Sequence, residues 1–233
     1  MIFETTIIDD EANYIRTVLL IAFILILFCG SSFLIMRARK NEFKTTKRVL
    51  QGYALFGICF AFTRIFFLVS AYDTFINETY SSAIWTVSGY AVTMASIIFI
   101  FLVVERYILE RLPIFTFIAF ISLCVDLLAL FFTILNIPLG TLQSKDLALI
   151  VQDIAAPILG VAICVLYIII IKNSAGIVKS KAVKTFTGVL LILCGILLDT
   201  NLLGAFEWLN PIRAILTPVS FIIGALIVII SIK

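Results

Sequence analysis

Seven stretches of this chain are each long and apolar enough to cross a lipid bilayer, and no other feature constrains its fold as tightly. A hydrocarbon core about 30 Å thick takes about 20 helical residues. The stretches lie at residues 14–38, 48–72, 82–107, 113–135, 146–172, 182–206 and 209–232. Within hydrocarbon, backbone N–H and C=O groups find no water, so each stretch must be a helix that satisfies its own backbone. The loops between them are too short for an extramembrane domain. The expected fold is all-α: one polytopic bundle of seven transmembrane helices filling residues 1–233, with the lipid bilayer around it. Composition points the same way. The chain is 63% apolar and 13% charged, against about 45–50% and about 25% in soluble domains.

The loops set the orientation. The first carries Arg37, Arg39, Lys40, Lys44, Lys47 and Arg48, the third Arg106 and Arg111, and the fifth Lys172, Lys179, Lys181 and Lys184. The second has no basic residue and contains Asp73 and Glu78, and the fourth has Lys145 alone. Basic residues favour cytoplasmic loops. The N-terminus is therefore expected outside and the C-terminus in the cytoplasm of a multi-pass cell-membrane protein. The first twelve residues are acidic rather than basic, so the first apolar run reads as a retained span, not a cleaved leader.

Composition also excludes chemistry. The chain has no histidine, the commonest general base near neutral pH and the commonest metal ligand. Its five cysteines lie singly within apolar stretches, as small apolar filler rather than a zinc or disulfide framework. No metal, cofactor or catalytic residue is expected, and a net charge of +3 gives no reason to expect nucleic acid.

Membrane helices associate through small residues and interhelical hydrogen bonds, so the face bearing them should point inward. At helical spacing these faces are Tyr53, Gly57, Phe60, Ala61 and Arg64 in the second stretch, and Ser82, Thr86, Gly89, Thr93 and Ser96 in the third. The fourth shows Ala119, Ser122, Asp126, Ala129 and Thr133, and the fifth Asp153, Ala156, Pro157, Gly160 and Cys164. The sixth shows Gly188, Ile192, Gly195 and Asp199, and the seventh Asn210, Arg213, Thr217, Ser220 and Gly224. The first shows little beyond Gly30 and Ser31 and is expected to be the most lipid-exposed.

Five of these faces carry a charge: Arg64, Asp126, Asp153, Asp199 and Arg213. At 1.5 Å per residue they lie between roughly 6 and 13 Å from the outer helix ends, a single layer in the outer half of the membrane. Tyr90 and Gln152 fall at similar depth. A charge at the bilayer centre costs about 2.5–3.5 kcal/mol even on insertion scales, so it should be paired or face a wet cavity. Two readings follow. Arg64 and Arg213 could neutralise two of the three aspartates in a structural network. Alternatively, Arg64, Tyr90, Asp126, Gln152, Asp153, Asp199 and Arg213 line a ligand-binding pocket open to the outside.

Several short patterns resemble known families. Glu105-Arg106-Tyr107, at the inner end of the third stretch, is similar to the [DE]RY motif of rhodopsin-like receptors. Asn210-Pro211, however, lies at the outer start of the seventh stretch, where that family's NPxxY motif would lie at the inner end. The seven-helix, N-outside plan resembles microbial rhodopsins, but the last stretch has lysine only at its tip, Lys233, so no retinal linkage is available. A weak repeat relates Gly52–Phe56 to Gly188–Ile192 and Thr93–Ile98 to Thr217–Ile222. It would make the first three and last three helices parallel copies joined by the fourth, similar to the SWEET and PQ-loop transporters, although the chain contains no Pro-Gln pair. No family is assigned.

The expected function is non-enzymatic: a small-molecule sensing or receptor-like module that binds a small polar ligand from outside and acts through a cytoplasmic protein partner. The alternatives are a small transporter of the three-one-three kind, with alternating access, and a structural or assembly subunit.

Overall fold

A computed structural model describes residues 11–77, 81–137, 144–199 and 210–232. The helices are α1 (Glu11–Arg39), α2 (Lys44–Asn77), α3 (Ser81–Leu102), α4 (Ile114–Ile134), α5 (Ser144–Asn173), α6 (Gly176–Asp199) and α7 (Asn210–Ile232). A π-helical segment, Val103–Ile108, continues α3. Among the described residues the fold is all-helical, and seven of its helices are long and apolar enough to cross a membrane. The end of the bundle where the first, third and fifth loops meet is called the basic end below.

Consecutive helices pack side by side and α7 returns against α1, which closes a ring; α3 also packs against α5. The centre is aromatic on the α1/α2/α7 side. The Phe23 ring stacks on Phe221 with centroids 5.2 Å apart and meets Phe60 edge-on at 5.9 Å. On the α6/α7 side the backbones nearly touch. A Cβ added at Gly188 would lie 2.7 Å from the Gly224 carbonyl oxygen, and one added at Gly224 would lie 2.7 Å from that of Gly188. Only glycine allows this approach, as expected where small residues replace hydrophobic collapse as the basis of packing.

Three features depart from the sequence reading. The first concerns exposure. α4, not α1, is the least buried span, with 22% of its apolar window inside the protein against 39% for α1. α4 packs only its narrow polar stripe between α3 and α5, whereas α1 is wedged between α2 and α7 by large side chains such as Phe23 and Leu27. A reading based on small residues overlooks that kind of contact.

The second is the inward face of α5. It carries Ala148, Ala155 and Ala162, seven residues apart, with Leu159, Leu166 and Tyr167. Asp153 and Pro157 are exposed, and Gly160 and Cys164 are half-buried. The small-residue rule holds for α5, but the alanines obey it.

The third concerns helix ends. α6 begins at Gly176, six residues before the expected start at 182. Asn173 and Gly176 are separated by two residues only, and the reversal uses Gly176 at φ +58°. Lys179, Lys181 and Lys184 then ride on exposed helical turns. Cys29, Cys124 and Cys194 are exposed on their helices, and Cys59 and Cys164 are half-buried.

The α6/α7 crossing yields a direct test. Gly188→Ala puts a methyl group against backbone that cannot step aside, and overpacking of this kind costs about 1–3 kcal/mol. At Gly160 the nearest atom to an added Cβ is Leu193 Cδ2, at 3.6 Å. Thermal unfolding in detergent is expected to show Gly188→Ala clearly destabilised and Gly160→Ala at or above wild type.

Candidate functional site

Two carboxylates are buried in the described part of the bundle, and they are in opposite situations. Glu105, in the π-helical segment at the basic end, is 3% exposed. α4 starts after Pro113 with no acidic residue in its first turn and no side-chain cap of its own. Glu105 supplies the cap from a distance. Its carboxylate accepts hydrogen bonds from Phe115 N (3.0 Å), Thr116 N (2.9 Å) and Thr116 Oγ1 (2.7 Å). A carboxylate at a helix N-terminus satisfies orphan N–H groups and meets the positive end of the helix dipole. The π turn, with one extra residue, rotates Glu105 toward α4, and Leu109 N donates to Val104 O at 2.9 Å. Arg48 of α2 lies 5.6 Å from the Tyr107 ring centroid on the same segment. Glu105 and Tyr107 therefore hold α3, α4 and α2 together.

Asp126 is the other carboxylate. It is 0% exposed on the buried stripe of α4, with Ala119, Ser122, Ala129 and Thr133, the stripe expected from the sequence. Neither carboxylate oxygen has a hydrogen-bond partner. The hydroxyls nearest along α4 point their protons elsewhere: Ser122 Oγ donates to Ile118 O (3.1 Å) and Thr133 Oγ1 to Ala129 O (2.7 Å). A buried charged group without partners costs more than the about 1–3 kcal/mol of a neutral one.

The level of Asp126 in the bundle can be fixed. Val87 of α3, Ala129 of α4 and Ala148 of α5 are buried together in one cluster, with Tyr90, Leu130 and Leu147 against it. α3 and α5 run toward the basic end and α4 runs away from it. One turn from this cluster toward the basic end therefore brings Tyr90, Asp126 and Gln152 to a common level. Gln152 is half-buried, and its Oε1 also has no hydrogen-bond partner. Tyr90 is half-buried and meets Phe67 edge-on at 5.5 Å.

The other sequence candidates lie elsewhere. Arg64 is 6% exposed, with its guanidinium carbon 4.2 Å from the Phe221 ring centroid and 5.1 Å from that of Phe60. It belongs to the aromatic α1/α2/α7 side, where the ring quadrupoles favour a cation by about 0.5–2 kcal/mol. Since the Asp126 oxygens accept no hydrogen bond, Arg64 is not their partner. Asp153 is exposed, one residue and about 100° around α5 from Gln152. The side chains of Asp199 and Arg213 lie outside the described residues. Of the seven candidates, the structure brings Tyr90, Asp126 and Gln152 to one level, gives Asp126 no hydrogen bond from Arg64, and leaves Asp153 exposed.

Sequence reasoning missed Glu105 as a cap, although the absence of any local cap at Pro113–Thr116 was a signal. It placed Tyr53 on the inward face of α2 but missed Tyr167, whose hydroxyl is 2.7 Å from that of Tyr53 in a buried bond between α2 and α5. The pairing left no sequence signal, because α2 and α5 are not neighbours in the ring and the bond reaches across its interior. Among the described residues no group of His, Cys, Asp and Glu could hold a metal ion. No family model, curated protein or solved structure matches the chain. The fold and its apolar surface mark an integral, multi-pass membrane protein.

The two carboxylates are expected to respond oppositely to neutralisation. Glu105→Gln keeps the shape but presents an NH2 group to backbone donors, and loss of charged hydrogen bonds costs about 1.5–3 kcal/mol. Asp126→Asn breaks no hydrogen bond and removes a buried ionisable group. At low ionic strength, unfolding measurements should show Glu105→Gln less stable than wild type, and Asp126→Asn equal or more stable.

Proposed function

We propose that this protein is a membrane-embedded sensing or receptor-like module: a small polar ligand enters from outside, binds at the α3/α4/α5 junction, and changes helix packing that a cytoplasmic partner reads. The observation that carries this reading is Asp126, fully buried and without a hydrogen-bond partner. A stable bundle has no use for such a group, whereas a binding site does, because an intramembrane ionisable residue is functional by default. The basic loops support an N-terminus outside and a C-terminus in the cytoplasm. The reading is non-catalytic.

The contrast between the two ends favours a sensor over a transporter. At the basic end, Tyr53 bonds to Tyr167 across α2 and α5, and Thr185 Oγ1 to Ser231 Oγ (2.7 Å) across α6 and α7. Arg37 Nη1 reaches Ile232 O at 3.3 Å, and Glu105 fastens α4 to α3. A transporter must open this end in turn. The second reading, transport, draws on a thinner seam. α5 packs less extensively on α6 than α6 does on α7, and Pro157 interrupts α5 beside that seam.

Single cysteines in an otherwise cysteine-free chain separate the readings. On inside-out vesicles, a membrane-impermeant maleimide is expected to label Thr45→Cys fully. Ala54→Cys, at a position 0% exposed beside Tyr53, should stay unlabelled, with or without sugars, amino acids or amines on the opposite side. Solute-dependent labelling of Ala54→Cys would replace the sensor with a transporter. Protection of Thr45→Cys on these vesicles, with labelling from outside, would reverse the orientation.

A further inference from the structure

The ligand class can be read from the proton bookkeeping of the junction. Asp126 offers two carboxylate oxygens and Gln152 one amide oxygen, all buried and all without a hydrogen-bond partner. A carboxylate alone presents about four acceptor sites. Ser122, on the Asp126 stripe of α4, donates its proton to Ile118 O and so offers lone pairs on that side. The cationic side chain of Arg64 lies over rings of α2 and α7 and gives no hydrogen bond to the Asp126 oxygens or Gln152 Oε1.

We infer that the α3/α4/α5 junction, centred on Asp126 with Gln152 as a second oxygen donor, is a binding site for a monovalent cation. An anion would meet the like charge of the Asp126 carboxylate there. A single carboxylate balances a single positive charge, and among the described residues no acidic or sulfur cluster could support a divalent or transition metal. Asp126 lies about 12 Å from the outer end of α4, deep enough that an entering cation must shed its water and depend on these oxygens. Two sources share this chemistry: an inorganic ion such as sodium or potassium, and the primary ammonium of an organic ligand. An ammonium has three N–H donors for the three free oxygens, and the Tyr90 ring at the same level is a surface that attracts such groups. This inference rests on the proposal that the junction is a ligand site, and names its ligand class.

The test is thermal unfolding of the full-length chain in detergent, at constant ionic strength, as N-methylglucamine is replaced by sodium, potassium or methylammonium. A ligand that binds the folded state raises the unfolding temperature with its concentration. At least one of the three cations is expected to do so in the wild type. Asp126→Asn should abolish the response. Gln152→Leu should raise the half-saturating concentration about tenfold, as expected for one lost hydrogen bond to a charge. Asp153→Asn should respond like wild type. A response to sodium or potassium alone identifies an inorganic ion, and one to methylammonium alone an organic amine. Three outcomes overturn the inference: no response to any cation, an undiminished response in Asp126→Asn, or stabilisation that follows pH identically in every cation, which would make Asp126 a proton site only. If cations bind but Ala54→Cys is labelled from the cytoplasmic side, the cation site stands and the sensor reading falls. If Ala54→Cys stays protected and no cation binds, the reverse holds.

Discussion

A polar group inside a bilayer cannot turn to water, and most of this structure follows from how each such group is satisfied without it. Thr63, Thr93, Ser122, Thr133 and Thr185 donate to backbone carbonyls one turn back along their own helices. Tyr53 and Tyr167 satisfy each other, and so do Ser70 and Thr86, 2.6 Å apart between α2 and α3. Glu105 satisfies the bare N-terminus of α4. Arg64 lies over aromatic rings, with its charge against their electron-rich faces. These solutions also join neighbouring helices, so the same bonds that remove a polar cost fix the ring. Against this background Asp126 is the exception, an ionisable group at zero exposure with nothing donating to it.

Helix number, the inward stripe of α4 and the burial of Arg64 were legible in the sequence because each rests on a local pattern. A run of apolar residues defines a span whatever surrounds it. The α4 stripe, Ala119 to Thr133, stood out because everything else on that helix is large and apolar. The face of α5 was misread because two sets of small residues compete on it. Pro157, Gly160 and Asp153 drew attention, while Ala148, Ala155 and Ala162 form the actual contact. The rank of α1 was misread for the complementary reason: Phe23 and Leu27 bury it without any small residue to announce them. The matched-depth argument gathered five charges into one layer. Depth carries no information about position around the ring, however, and that is where Arg64 and Asp153 separate from Asp126.

The distribution of tight and loose contacts has a functional consequence. Glycine contacts between α6 and α7 bring backbone against backbone and leave that pair little freedom. α4, by contrast, is held at one end by Glu105 and along one narrow stripe, with Phe117, Phe120, Leu127 and Phe131 facing outward. A ligand drawing on Asp126, as proposed, would act on the least buried of the seven spans. The change would travel along α4 to the Glu105 cap and the π segment at the basic end. Helices with few fixed contacts are the natural source of such movement, since low-stability elements are the ones that move in switching.

The central claim is that no cation among the described residues neutralises Asp126. The most direct test is a double-mutant cycle on unfolding free energy with Arg64→Gln and Asp126→Asn. The two side chains belong to different sides of the ring, so their effects are expected to add, with a coupling below about 0.5 kcal/mol, as for independent sites. Arg64→Gln alone should still destabilise, through loss of its contacts with Phe60 and Phe221. A coupling above about 1 kcal/mol, with Asp126→Asn relieving the loss caused by Arg64→Gln, would show the two charges to be a pair and would remove the basis for a ligand at the junction.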